Sequence, residues 1–306
     1  MLSGISASSA PTPDGKSYRN FNELAAPFGM RRARIKDGVA YYRGDRKVLS
    51  LADKNISAPF YGMDVALSYP IAVRNGNPFI SLIDWKSTLQ VLLSPYRCIR
   101  KQRVATILLD PGHGGRDRGA AGRISVEKQL TLRIALRVAA LLRSRGFRVV
   151  LTRTSDRTVP LEKRGALAAR TGADVFVSIH LNSASPGVNG IETYCLTPAG
   201  APSSNDRAKK KGDMSRCRGN NWDANNLLLA ATMHRKLLVR TGAADRGLKR
   251  ARFAVLRDLT VPGVLLEAGF LSNVQEERRL VSGSYIETVA RAIADAIVEY
   301  RMQVKK

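Results

Sequence analysis

The chain has 306 residues, with 50 Lys and Arg against 25 Asp and Glu, a formal net charge of +25, and 44% of its residues are hydrophobic. That content supports a buried core and excludes an intrinsically disordered chain, while the length suits about two domains of roughly 150 residues each. The charge calls for an anionic partner, and nucleic acid, membrane phosphate and acidic cell-wall glycans all fit it.

Residues 1–16 are small and polar and are expected to form a disordered tail. They carry neither a charged n-region nor an apolar h-region, so no signal peptide is visible, and taken literally the chain is cytoplasmic. From 18 to 29, apolar residues spaced by three or four predict a short helix ending at Gly29. A hairpin follows over 34–42, where Asp37-Gly38 separates two alternating runs. A comparable turn and helix start recurs at 75–85. Residues 17–97 therefore read as a small α+β module. It resembles the repeated module first described at the amino terminus of copper amine oxidases, which accompanies several bacterial cell-wall hydrolases. The resemblance implies attachment or positioning, and no His cluster here could hold copper. An unrelated small α+β domain is the alternative. A boundary is expected in the basic stretch 97–103.

From 104 the pattern changes to strand-like apolar runs alternating with helical ones. Strands are predicted over 104–109, 147–152, 174–180, 191–196, 253–256 and 263–267, and helices over 127–145, 161–171, 225–240 and 285–302. The fold class expected is α/β, a mostly parallel sheet with helices on both faces, preceded by the small α+β domain. No apolar run approaches the about 20 residues of a membrane span, so no transmembrane segment is expected. Cys98, Cys195 and Cys217 cannot all pair and none lies in a Cys-x-x-Cys arrangement, so neither a disulfide scaffold nor a cysteine zinc site is indicated.

Reactive groups gather at the carboxyl ends of parallel strands. His113 follows the first of these strands between glycines, Glu127 opens the next helix, and His180 closes an apolar strand. Glu267 ends another apolar run. Two imidazoles and a carboxylate form a common catalytic zinc set, leaving the fourth position to water and a second carboxylate to carry protons. Glu127 alone could instead serve the positive end of its helix, and Glu267 could belong to a buried Glu–Arg pair.

At these residues the chain resembles the zinc-dependent N-acetylmuramoyl-L-alanine amidases often called amidase-3. The matching blocks run in order from about 105 to 302. They include Leu109-Asp-Pro-Gly-His-Gly-Gly, Glu127-Lys, Leu151-Thr-Arg-Thr-Ser-Asp, Ala173-Asp-Val-Phe-Val-Ser-Ile-His-Leu-Asn, Gly190-Ile-Glu-Thr-Tyr, Asp245-Arg-Gly, Val255-Leu-Arg and Pro262-Gly-Val-Leu-Leu-Glu-Ala-Gly-Phe-Leu-Ser-Asn. The resemblance implies a zinc amidase catalytic domain over 104–303. In it, His113, Glu127 and His180 bind zinc (Zn) and Glu267 is the catalytic carboxylate. The implied reaction is hydrolysis of the amide between N-acetylmuramic acid and L-alanine in peptidoglycan. It further implies a place in the periplasm or cell envelope, and an activator protein is a candidate partner. Export then expects a leader or segment upstream of this sequence. Asn182 and Arg246 flank the site blocks and are candidate substrate contacts. The stretch 197–222 departs from the family pattern.

The remaining candidates have plainer readings. His234 lies in a helical pattern as a helix-face residue, Cys195 reads as a buried thiol, and the basic segment 207–218 as a solvated loop. A nucleic-acid binder should show basic stripes interleaved with exposed aromatics or a reading helix. Aromatic content is 6% and no such motif is found, so no specific nucleic acid is expected. An inactive wall-binding protein is a third reading, and the intact ligand set argues against it.

Overall fold

The computed structural model describes residues 17–45, 47–204, 206 and 215–305. The expected tail at 1–16 and the lysine cluster at 209–211 lie outside the described residues.

Turn chemistry organises the amino-terminal part. Strand β1 (Tyr18–Asn20) leads into α1 (Phe21–Ala25), whose first turn is capped by the Asn20 side chain. A 3-10 turn then ends at Gly29 in the left-handed conformation, so the helix expected over 18–29 is divided among three short elements. Strands β2 (Arg31–Lys36) and β3 (Val39–Gly44) form the expected hairpin, with Asp37 and Gly38 both at positive φ as a tight primed turn requires. The meander continues through β4 (Lys47–Ala52), β5 (Ser57–Phe60) and β6 (Met63–Ala66). Strands β7 (Ala72–Arg74) and β8 (Asn77–Ser81) make a second hairpin and join β1 in a three-stranded sheet. Ser81 caps α2 (Leu82–Asp84), which passes through a wide π-type turn into α3 (Gln90–Leu93).

The α/β part comprises β9 (Thr106–Pro111), α4 (Glu127–Arg143), β10 (Arg148–Leu151), α5 (Leu161–Thr171), β11 (Val175–Asn182), β12 (Ile191–Leu196), α6 (Asp223–Thr241), β13 (Asp245–Ala251), α7 (Ala254–Arg257), β14 (Gly263–Phe270), α8 (Val274–Val281) and α9 (Gly283–Val304). Its strands lie in the order β10-β9-β11-β14-β12-β13, and every neighbouring pair is parallel except β12 with β14. Apolar residues of α4, α6 and α9, such as Ile134, Leu229 and Ile293, pack on one face with Ile107 and Leu109. Ala168 of α5 and Val255 and Leu256 of α7 pack on the other with Leu108 and Phe176. The period-two alternation of β9 thus feeds two cores, as a sheet covered on both sides requires.

The sheet does not stop at β13. Leu248 pairs with Val65 of β6, so the meander extends it to eleven strands, and apolar residues from both sides of 97–103 share one core. Two local expectations differ from the structure. Residues 253–256, expected as a strand, lie in or against the helical turn α7; the strand is β13, where Asp245, Arg246, Lys249 and Arg250 obscure the apolar alternation. Helix α8 was not expected, because its sequence is mostly charged; Asn273 caps it by accepting from the N–H groups of Gln275 and Glu276. Among the described residues, no helix is long and apolar enough to cross a membrane.

Candidate active site

The loop after β9 carries His113 at φ 60, a conformation that few non-glycine residues adopt. Two buried arginines hold it there. Arg153 donates to the carbonyls of Pro111 and Gly112, and Arg164 donates to those of Pro111 and His113. Arg164 also pairs with buried Asp110, which accepts from Thr152, just past β10, and from Ser178 within β11. The loop's carbonyls are therefore satisfied from both sides, which offsets the strain at His113.

Glu127 begins α4 and reaches into the same space. Its carboxylate accepts from the N–H groups of Ala120 (2.8 Å) and Leu181 (3.0 Å). His113 Nε2 lies 3.1 Å from Glu127 Oε2, and His180 Nδ1 lies 2.8 Å from Oε1. The candidate ligand atoms of all three residues fall within 4.8 Å of one another. Donors held about 2.0–2.1 Å from one tetrahedral ion stand about 3.4 Å apart, so this arrangement fits a zinc-sized cation. His113 Nδ1 is bound by Asp117 at 2.8 Å, which directs Nε2 inward, the usual outer support of a metal-binding imidazole. The surroundings are cut to the same shape. A Cβ on Gly119 would lie 2.4 Å from Glu127 Oε2, and one on Gly112 would lie 2.3 Å from the His180 ring. Burial opposes ionisation of Glu127, but hydrogen bonds from His113 and His180, the His180 charge and the Ala120 N–H prevail and push its carboxyl down to about 2. A bound cation acts in the same direction.

Glu267 stands one strand away from His180, opposite it in the β11–β14 register. Its Oε2 is buried and has no hydrogen-bond partner, and among the described residues it forms no ion pair with an arginine. Burial first, then the negative charges of Glu127 and Glu192, raise its carboxyl well above the ordinary value. A buried carboxyl oxygen without a partner is costly unless a proton or cation compensates. Its free oxygen is therefore placed to take up or give a proton beside the His113, Glu127 and His180 cluster.

Asn182 and Arg246 are brought together around a residue that sequence reasoning did not single out, Glu192. Asn182 donates to Glu192 Oε2 at 3.1 Å, and Arg246 Nε donates to Oε1 at 3.2 Å. His234 is buried in α6 between the Thr193 hydroxyl and Asp245, away from the three-residue cluster. Cys195 is a buried thiol, its pKa raised by that burial. Arg153 and Glu192 lie inside matched blocks, and Arg164 lies in the helix predicted over 161–171. Their roles were hidden because their partners are backbone carbonyls or residues on other strands.

Residues 107–299 match the model of the N-acetylmuramoyl-L-alanine amidase family. The sporulation-specific N-acetylmuramoyl-L-alanine amidase of Bacillus subtilis is 36% identical over 202 residues, covering 65% of this chain and 69% of that protein. The amidase AmiA of Escherichia coli is 32% identical over 217 residues, 63% of this chain and 75% of that one. Among solved structures, the catalytic domain of CwlV, an N-acetylmuramoyl-L-alanine amidase from Bacillus (Paenibacillus) polymyxa, has 36% identity and a TM-score of 0.55, covering 66% of this chain and all of its own. The CwlD amidase of Clostridioides difficile, solved in complex with the GerS lipoprotein, has 28% identity and a TM-score of 0.53 over 64% of this chain and 98% of its own. The chain belongs to the N-acetylmuramoyl-L-alanine amidases of the amidase-3 family, hydrolases of peptidoglycan.

Proposed function

We propose that the chain is a zinc-dependent amidase in which His113, Glu127 and His180 hold the metal and Glu267 moves the proton. The observation that carries this reading is the buried, unpartnered carboxyl oxygen Oε2 of Glu267 beside a two-imidazole, one-carboxylate cluster. A zinc ion bound there supplies Lewis-acid polarisation of the scissile carbonyl and lowers the pKa of water in the site. Glu267 takes the proton of the attacking water. It then delivers that proton to the departing alanine nitrogen, because an unprotonated amide anion is a very poor leaving group. Asp117 fixes the His113 tautomer, and Arg153 and Arg164 keep the loop rigid.

The substrate is the lactyl–L-alanine amide of peptidoglycan, and the role is wall remodelling or daughter-cell separation. Such a substrate places the protein in the periplasm or cell envelope. A regulatory protein partner fits the precedent of CwlD, which was solved bound to a lipoprotein. No specific nucleic acid is proposed. The residues 17–97, whose meander adds to the catalytic sheet, serve attachment or positioning of the enzyme on the wall.

Metal analysis and product analysis test this reading together. Purified protein is expected to hold about one zinc per chain and to release stem peptides with new amino-terminal alanine from insoluble peptidoglycan, without new reducing sugars. A chelator should stop release and zinc should restore it. Full activity in metal-free protein, or products bearing new reducing ends, would refute it.

A further inference from the structure

Across the sheet, His180 on β11, Glu267 on β14 and Glu192 on β12 stand side by side, with Glu192 directly opposite Glu267. Beyond them β13 contributes Arg246 and Lys249. Glu192 is thus on the far side of Glu267 from the three-residue cluster. A peptide arm leaving Glu267 on that side, away from the cluster, would run over β12 and β13.

Four donors saturate the buried Glu192 carboxylate. Lys249 Nζ (2.7 Å) and Arg246 Nε (3.2 Å) share Oε1, while the Tyr194 hydroxyl (2.7 Å) and Asn182 Nδ2 (3.1 Å) share Oε2. The Arg246 guanidinium also lies over the Phe270 ring, 5.2 Å from its centroid. Its side chain is about one third exposed, at 35%. Among the described residues, its two terminal amino groups make no hydrogen bond. An arginine bound at Nε and stacked on a ring presents the remaining fork in a fixed direction, the geometry that receives a carboxylate bidentately.

The substrate offers a matching group. The second residue of a stem peptide is a glutamate joined through its side chain, which leaves its α-carboxylate free unless it is amidated. Consecutive Cα atoms stand about 3.8 Å apart, so that carboxylate lies roughly 6–8 Å from the scissile nitrogen. Neighbouring strands are spaced about 4.8 Å, and β13 is two strands from β14, which brings an arginine side chain on β13 within reach.

We propose that Arg246 receives the free carboxylate of the stem peptide's second residue, and that Glu192 is the positioning residue that aims it. The proposal rests on the peptidoglycan amidase reading. It makes the enzyme selective for stems with a free glutamate carboxylate over stems carrying the carboxamide at that position.

The experiment measures kcat and KM on two soluble substrates, muramoyl-L-alanyl-D-glutamate and its carboxamide, with the zinc-loaded full chain. The parent enzyme is expected to favour the carboxylate by about 10- to 100-fold in kcat/KM, mostly through KM, the range of one charged hydrogen-bonded contact. Arg246→Gln should collapse that ratio toward one. Glu192→Gln should narrow it by raising KM for the carboxylate substrate more than it lowers kcat, a split that general loss of structure would not give. A parental ratio near one, or an Arg246→Gln enzyme that keeps the parental ratio, overturns the proposal. Because Arg246 lies at the partly exposed rim, its variant remains informative even if Glu192→Gln fails to fold. Failure of the parent to release peptide from these substrates and from insoluble peptidoglycan alike would instead remove the amidase reading, and the proposal with it.

Discussion

At the scale of single residues, the site is built by satisfying its buried carboxylates everywhere except at Glu267 Oε2. Glu127 takes hydrogen bonds on both oxygens, Asp110 takes three donors, and Glu192 takes four, whereas buried Glu267 Oε2 takes none. The outer support of His113 gives a direct test. Asp117 binds its Nδ1 at 2.8 Å and is itself exposed, so Asp117→Ala should leave the fold intact. Loss of such a partner typically costs about 10- to 100-fold in metal affinity. Titration of zinc against a competing chelator should show that loss; unchanged affinity would mean that His113 needs no orienting group.

At the scale of elements, the link between the amino-terminal meander and the catalytic sheet runs through Asp245 at the start of β13. One carboxylate oxygen accepts from His234 and the other from the Asp64 N–H of β6, each bond closing one side of the joint. Burial opposes ionisation of Asp245, but the His234 hydrogen bond, the Asp64 N–H and the His234 charge prevail and hold its carboxyl below the ordinary value. A carboxyl with a depressed folded pKa adds stability that is fully present above its unfolded value, about 3.9, and is lost as pH falls through the folded one. Asp245→Asn should therefore cost about 2 kcal/mol at pH 7, the order of a hydrogen bond to a charged group, with the deficit shrinking below about pH 4. Denaturation midpoints at the two pH values measure this, and an equal deficit at both would contradict it.

The same elements show what the sequence made legible. Strands β9, β11 and β14 and helices α4, α5 and α6 were readable because they are covered on one or two faces by apolar neighbours and so carry a clear period. Strand β13 was not, since Arg250 is buried through hydrogen bonds to Leu196 and Ser87 carbonyls rather than through apolar contact. Nor was the continuous sheet, because the β6–β13 pairing joins residues far apart in the chain through backbone groups that all residues share. His113 and Glu127 were legible as residue types at element ends, whereas His180 and Glu267 were legible as polar residues after apolar runs although β11 and β14 continue past them. The supports from Arg153, Arg164 and Glu192 required the tertiary structure.

At the scale of the whole molecule, the +25 charge is a long-range attraction toward an anionic partner. Part of it lines the edge strand β2, where Arg31, Arg32, Arg34 and Lys36 are all exposed; charge there also discourages edge-to-edge pairing. Exposed charges are screened within about 8 Å at physiological salt. Cosedimentation with insoluble wall material should therefore weaken steeply as salt rises, while turnover of small soluble muropeptides changes much less. Parallel salt responses would mean that the charge does not serve attachment.

The central claim is that Glu267 transfers the proton beside a metal held by three other residues. Glu267→Gln keeps the size of the side chain and removes its ability to exchange a proton. The direct measurement is the single-turnover rate of stem-peptide release by this variant, taken together with its zinc content. Zinc should be bound as in the parent and the rate should be lower by about 10²- to 10⁴-fold, the usual contribution of a positioned acid–base group. A zinc-loaded Glu267→Gln enzyme that releases peptide at the parental rate would contradict the claim.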